Sequence, residues 1–202
     1  MTSSGSIYLF GAGGHAKVIV EILESCGLRP AGLFDENAAG GQVCGYDVDA
    51  YPGKFDVDLD ELIISIGNNA VRRDKAEKLQ VNYTTAIHRA VTISPRATVG
   101  RGTVVMAGVI INSETSVGQH CIINTSASID HDSVIGDFAH ISPNATLCGT
   151  VSVGEGSHIG AGAVVIPGIK IGSWSTVGAG AVVIRDVPDN TCVVGSPARP
   201  LP

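Results

Sequence analysis

Ile123-Asn124-Thr125-Ser126-Ala127-Ser128-Ile129-Asp130-His131-Asp132-Ser133-Val134-Ile135-Gly136-Asp137-Phe138-Ala139-His140-Ile141 carries the architecture of this chain in miniature. An aliphatic residue returns at every sixth position, and the same beat extends in both directions. It runs from Ile87 to Val183 through seventeen successive aliphatic residues without a slip. Four residues after each stands a second restricted set, Val91, Ala97, Thr103, Val109, Thr115, Cys121, Ala127, Ser133, Ala139 and Ala145 among them, nearly all small. A short strand followed by a sharp corner needs one aliphatic side chain inside each face and a small one where the next corner crowds the interior. Such a six-residue period is the signature of a parallel β-helix. Three hexapeptides close one triangular coil, so residues eighteen apart stack, and seventeen repeats predict between five and six coils. The Gly, Asp, Asn and Ser residues between the aliphatic positions are turn chemistry rather than phosphate loops. One coil cannot bury its aliphatic row alone, so the array requires stacking, capped ends and flat faces that favour self-association.

Bulk properties bound the rest. With 202 residues, 44% hydrophobic and 16% charged, the chain has room for two compact units. A net charge of -6 and 4% aromatic content argue against a nucleic-acid groove, which needs a basic face and stacking rings. No apolar run reaches membrane-spanning length, and Met1-Thr2-Ser3-Ser4-Gly5-Ser6 lacks the regions of a signal peptide, so no membrane insertion and a cytoplasmic location are expected. Five cysteines, Cys26, Cys44, Cys121, Cys148 and Cys192, show no paired spacing and read as small buried hydrophobes.

Before the repeat, strands alternate with helices. Ile7-Tyr8-Leu9-Phe10 reads as a buried strand that turns through Gly11-Ala12-Gly13-Gly14-His15-Ala16 into a helix. Further strands end at Leu33-Phe34-Asp35 and run through Leu62-Ile63-Ile64-Ser65-Ile66, the latter followed by Gly67-Asn68-Asn69 and a second helix. Glycines at strand C-termini mark the place where open α/β sheets bind ligands. The predicted organisation is a Rossmann-like α/β half domain over residues 1–84 and an all-β parallel β-helix over 85–202. Gly11-x-Gly13-x-x-Ala16 with Asp35 satisfies the dinucleotide fingerprint. The hexapeptides nevertheless leave room for only one mononucleotide-binding half, which favours a nucleotide diphosphate over NAD. Amides at Gly13, Gly14 and His15 beside a helix N-terminus suit a pyrophosphate, and Asp35 and Glu36 suit sugar or amino groups. A tight strand-to-helix turn with no ligand is the competing reading.

Among six histidines, the phase of the repeat sets His131 at a corner, pointing outward between Asp130 and Asp132, and stacks His140 with His158 one coil beyond. A carboxylate beside an imidazole orients the ring and raises its basicity. Spacing leaves open which of the two acids touches it.

The whole chain resembles bacterial nucleotide-sugar acetyltransferases of the hexapeptide superfamily, in particular the UDP-4-amino-sugar N-acetyltransferases that make diacetylated bacillosamine-type sugars. The likeness is carried by Gly11-Ala12-Gly13-Gly14-His15, Phe34-Asp35-Glu36, Ile66-Gly67-Asn68-Asn69 with Arg72, Asn124-Thr125-Ser126, Ile129-Asp130-His131-Asp132, Ile135-Gly136-Asp137-Phe138-Ala139-His140 and Val194-Gly195-Ser196-Pro197-Ala198. The resemblance implies a left-handed coil and a homotrimer. It implies direct transfer from acetyl-CoA to the amine of a nucleotide-linked sugar, a UDP-4-amino-4,6-dideoxy sugar in the favoured reading. His131 would be the general base and Asp132 the acid that sharpens it. His140 would meet the acetyl end of acetyl-CoA, while Ala161 and Ala179 meet its pantetheine arm. Gly13, Gly14, His15, Asp35, Glu36 and Gly67 fall on nucleotide-sugar positions, with Asn124 a further active-site candidate. No metal is expected. The rivals are a sialic-acid-type O-acetyltransferase, a GDP- or dTDP-amino-sugar N-acetyltransferase, a zinc-dependent carbonic-anhydrase-like lyase through His131, His140 and His158, and a non-catalytic scaffold.

Overall fold

A computed structural model of the chain describes residues 5–36, 38 and 40–201; the stretch Met1–Ser4, read above for a leader, lies outside the described residues. Each of the seventeen aliphatic positions closes a two-residue strand, from Ala86–Ile87 to Val182–Val183. The strands sort into three parallel faces. The first carries Ala86–Ile87, Val104–Val105, Ile122–Ile123, His140–Ile141, His158–Ile159, Thr176–Val177 and Cys192–Val194. In register, Val105 pairs with Ile123 and Ile123 with Ile141, so residues eighteen apart stack as the period predicts.

The interior is a continuous aliphatic column in which Ile123, Ile129, Ile141, Leu147, Ile159 and Val165 are fully buried, with Ala127, Ala139, Ala145, Ala163 and Ala181 at the crowded corners. Where the corner residue is polar, its hydroxyl is satisfied: Thr115 Oγ1 donates to Asp130 O at 2.8 Å and Thr103 Oγ1 to Gly118 O at 2.8 Å. Each corner from Gly102 to Gly180 turns on a residue with positive φ, at every sixth position. Side chains occupy that left-handed position at Glu114, His120, Ser126, Asp132, Phe138, Asn144, Thr150 and Trp174. The conformation costs roughly 1–2 kcal/mol for a residue with a Cβ, offset by the ladder bonds on either side. Truncating the column at Leu147→Ala, at 0% exposure, is expected to remove about 2–5 kcal/mol of stability. An unchanged denaturation midpoint for that variant would show that the stack collapses onto the gap.

Both ends depart from the regular beat. Ile87, Ile93 and Val99 are only partly buried, because the first coil has a neighbour on one side alone. At the other end the spacing shortens: Val177 pairs with Val193 and Ile171 bridges to Val187, sixteen residues on instead of eighteen. The chain then turns through Gly195-Ser196-Pro197 and returns antiparallel, Val194 opposite Arg199, closing that end.

The N-terminal unit comprises β1 (Ile7–Phe10), α1 (Gly14–Ser25), β2 (Gly32–Phe34), β3 (Gln42–Val43), β4 (Tyr46–Asp49), β5 (Glu61–Ile64), α2 (Asn69–Lys78) and β6 (Asn82–Tyr83). Its sheet runs β3-β4-β2-β1-β5-β6 and is parallel apart from the β3–β4 hairpin. Sequence reading missed that hairpin, whose turn rests on positive φ at Cys44 and Gly45. The apolar face of α1, Ala16, Ile19, Val20 and Leu23, belongs to one cluster with Leu9, Leu33 and Ile63 of the sheet. The same cluster includes Ala86, Val104, Met106 and Ile122 of the first face, so the two units share a core. Among the described residues, no helix is long and apolar enough to cross a membrane.

The cysteines require a correction. Cys121 is buried in the column, but Cys148 and Cys192 are only partly covered, and Cys26 and Cys44 are exposed. Cys26 caps α1, donating from Sγ to Ile87 O at 3.2 Å, and Cys44 occupies the hairpin turn; both positions serve the backbone rather than a core.

Candidate active site

The histidine corner has a defined geometry. Asp130 is held by its own contacts, its Oδ1 accepting from Asn112 Nδ2 at 2.8 Å and from the His131 amide at 2.8 Å. Asp132 is therefore the acid that meets the ring, with its Oδ2 2.7 Å from His131 Nδ1. The left-handed φ of 57° at Asp132 breaks the strand alternation, letting adjacent side chains share one side. Nε2 is 4.0 Å from Asp130 Oδ2, and the ring is half exposed. The hydrogen bond to Asp132, with the Asp130 charge behind it, raises the imidazole above its ordinary basicity.

One coil on, Gly149 lies beneath that ring: a Cβ there would come within 2.7 Å of Cε1 and Nε2. Sequence reading missed this residue, although a glycine eighteen positions after a corner histidine was a visible signal. Gly149→Ala is expected to push the ring aside and lower turnover about 10-fold, with the fold intact. Turnover at the wild-type rate would show that the imidazole needs no such seat.

His140 is a different group. Its ring stacks on His158 with centroids 4.8 Å apart and planes at 12°. Asn124 Oδ1 accepts from Thr125 N at 2.8 Å, which turns Asn124 Nδ2 towards His140 Nε2 at 3.1 Å. His140 Nε2 is then the acceptor, so the neutral ring carries its proton on Nδ1. Burial, with His158, Arg72 and His15 nearby, pushes its pKa down to about 3. His140 stays neutral and is a poor base, whereas His131 is a strong one. Ala161 and Ala179 stack as their spacing predicts, Gly180 N donating to Ala161 O at 2.8 Å, and both are exposed along the corner that follows the first face.

The six N-terminal positions named from sequence converge. Gly13, Gly14, His15, Asp35, Glu36 and Gly67 line one cavity of about 300 Å³ at the C-terminal ends of β1, β2 and β5. Gly11, at φ 110°, lies against Ile66, whereas no atom lies within 4 Å of where a Cβ would stand on Gly13 or Gly14, so a ligand can approach the backbone there. Gly13 caps α1 with no side-chain hydrogen bond and no acid stands in its first turn, leaving amides for an anion. Asp35 Oδ2 accepts from Ala12 N at 2.9 Å, which fixes the loop, and Glu36 pairs with Lys75 Nζ at 2.6 Å. Lys75 is a lining residue that sequence reading did not single out. His15 Nε2 is shut off from solvent with no hydrogen-bond partner among the described residues, and burial beside Arg72 pushes its pKa down to about 4.

Within one chain these parts occupy separate edges. His131 faces a depression with Ser94, Asn112 and Ser113, and none of the residues lining it lines the cavity at the strand ends. The chain thus sets a half Rossmann sheet on a hexapeptide prism, with a His–Asp pair on an exposed corner.

Residues 6–79 match the PglD N-terminal domain, and residues 150–185 match the bacterial transferase hexapeptide (six repeats). PerB from Caulobacter crescentus, solved in complex with CoA and GDP-perosamine, is 40% identical with a TM-score of 0.92, over 98% of each chain. The acetyltransferase domain of PglB from Neisseria gonorrhoeae, in complex with acetyl coenzyme A, is 35% identical with a TM-score of 0.91, over 96% of this chain and 98% of that one. UDP-N-acetylbacillosamine N-acetyltransferase of Bacillus subtilis is 44% identical over 112 residues, 50% of this chain. The chain spans 51% of that curated relative and 21% of a second, from Acanthamoeba polyphaga mimivirus. From its likeness to the solved structures over nearly their full length, the chain belongs to the hexapeptide N-acetyltransferases with a PglD-type N-terminal domain.

Proposed function

We propose that this protein transfers the acetyl group of acetyl-CoA to the amine of a nucleotide-linked amino sugar. The observation that carries this reading is the 2.7 Å contact between His131 Nδ1 and Asp132 on a half-exposed corner, which engages Nδ1 and leaves Nε2 to act as the base. In the reaction, His131 Nε2 takes a proton from the sugar amine as its nitrogen attacks the thioester carbonyl. The tetrahedral intermediate collapses with cleavage of the C–S bond, and the proton passes from His131 to the departing thiolate. No covalent enzyme intermediate is invoked. Cys121 is fully buried with its thiol pushed up to about 12, the opposite of an activated nucleophile.

A homotrimer is part of the proposal. The base stands on one edge of the prism, Ala161 and Ala179 on another, and the nucleotide cavity beside the first face. Neighbouring copies packed side by side would bring one chain's base to another chain's nucleotide cavity, with acetyl-CoA in the groove between them. Dependence on acetyl-CoA and an activated sugar fits the cytoplasm. A 4-amino sugar on UDP is the acceptor favoured by the resemblance to the Bacillus subtilis enzyme. A GDP-linked amino sugar is the second reading, favoured by similarity over nearly the whole of a structure holding GDP-perosamine. Thiol release and product mass, measured with UDP-, GDP-, dTDP- and CMP-linked amino sugars, test the proposal. Acetylation of none of them would overturn it.

A further inference from the structure

His120, Phe138, Gly156 and Trp174 occupy the same corner in four consecutive coils, each in the left-handed region with φ between 52° and 66°. The start of α2 grips this column rung by rung. Arg72 Nε donates to His120 O at 2.8 Å, Arg72 Nη2 to Phe138 O at 2.8 Å, and Asn69 Nδ2 to Gly156 O at 3.0 Å. The Arg73 guanidinium stands over the Trp174 ring, 5.4 Å from its centroid.

Arg72 also reaches back into its own domain. Nη1 donates to Ile66 O at 3.0 Å and Gly67 O at 3.2 Å, and Nη2 to Asn69 Oδ1 at 2.8 Å. Five N–H donors thus meet five carbonyl oxygens, and the residue is 1% exposed. A buried cation held only by carbonyls is a costly way to fill space, since an apolar side chain of similar volume would pack there without desolvating a charge. Its geometry supplies something packing does not. Ile66 and Gly67 form a wall of the nucleotide cavity, while Phe138 and Gly156 stand two residues before His140 and His158.

We propose that Arg72, with Asn69, is a positioning residue for acetyl transfer: it fixes the Ile66–Gly67 wall against the rungs of the β-helix, and so sets where the bound sugar amine is held. This inference rests on the acetyltransfer reading given above.

The test uses R72M, R72K and N69A in the full chain, with the nucleotide sugar that the wild type acetylates best. R72M is expected to lower kcat/KM for the acceptor about 30-fold, R72K to recover part of that loss, and the Kd for CoA to stay within about twofold. Folded R72M with an acceptor kcat/KM within about threefold of wild type would overturn the proposal, since a 1 Å misplacement costs far more. A loss in R72M that Lys does not lessen, or one matched by an equal loss of CoA affinity, would overturn it too. If R72M fails to fold, N69A decides, having lost the contacts of Asn69 with Gly156 O and Ser157 O and one acceptor of Arg72: about a fivefold loss is expected, and unchanged kinetics would overturn the proposal. If the wild type acetylates no nucleotide sugar, the function fails separately, and the hold of Arg72 on the cavity wall is read from GDP and UDP binding. R72M should then weaken the tighter nucleotide about tenfold, and equal affinity would overturn the positioning role as well.

Discussion

Replacing His131 with Ala is expected to lower kcat for acetyl transfer by about 100- to 10,000-fold, the range for losing a general base. The physical case is the contrast between the corner and the stacked pair. At His131 a carboxylate 2.7 Å from Nδ1 holds the ring and favours its protonated form, so the imidazole is a strong proton acceptor. At His140 burial and neighbouring positive groups push the pKa to about 3, and Nε2 already accepts from Asn124. Only the first can take a proton from an attacking amine near neutral pH. Because Ala161 and Ala179, the proposed contacts of the pantetheine arm, lie on a different corner, CoA affinity in the variant should match wild type. Stopped-flow or steady-state transfer assays, paired with CoA calorimetry, check both halves. A variant that retains more than about a tenth of wild-type kcat would remove His131 from the mechanism.

Asp132→Asn should act on the same group through its titration, and lower the plateau rate about 100-fold. The imidazole works as a base only when neutral, and its folded-state pKa is raised. Wild-type kcat/KM should therefore climb with pH through a value above the ordinary histidine value of about 6.5. Asn removes the hydrogen-bonded carboxylate, the largest cause of the shift, and leaves the Asp130 charge behind. The acidic limb should then move to lower pH, so that a larger fraction of the base is neutral at pH 6 even though each turnover is slower. An asparagine can also offer its amide to Nδ1 and favour the wrong tautomer, the main reason for the lower plateau. A pH profile whose acidic limb stays put in the variant would show that Asp132 does not set the basicity of His131.

Particular residues show how far the chain could be read without coordinates. Ile123, Ile129, Ile135 and Ile141 announced their positions because a coil makes its principal contacts with the coil before and after it, at a fixed spacing. The Gly11–Ala16 turn and Asp35 were legible because a strand-to-helix turn and the strand beside it are short, local pieces with demanding backbones. Their convergence with Gly67 follows from parallel strand order. Arg72 was visible only as part of a motif: its partners His120 and Phe138 lie 48 and 66 residues away, and no periodicity links them to α2. The choice between Asp130 and Asp132 was likewise invisible, since it turned on one left-handed φ and on Asn112 claiming Asp130 from the neighbouring coil.

The amino-acid sequence alone determined the prism, its phase and the corner on which His131 stands, because each of these is set by residues a fixed and short distance apart. Tertiary structure alone decided which carboxylate serves that histidine, that His140 is held neutral, and how the cavity at the strand ends is pinned to the coils. The first depends on a local backbone angle and a hydrogen bond between neighbouring coils; the other two depend on desolvation and contacts between segments far apart in the chain, which exist only once both units have packed against each other.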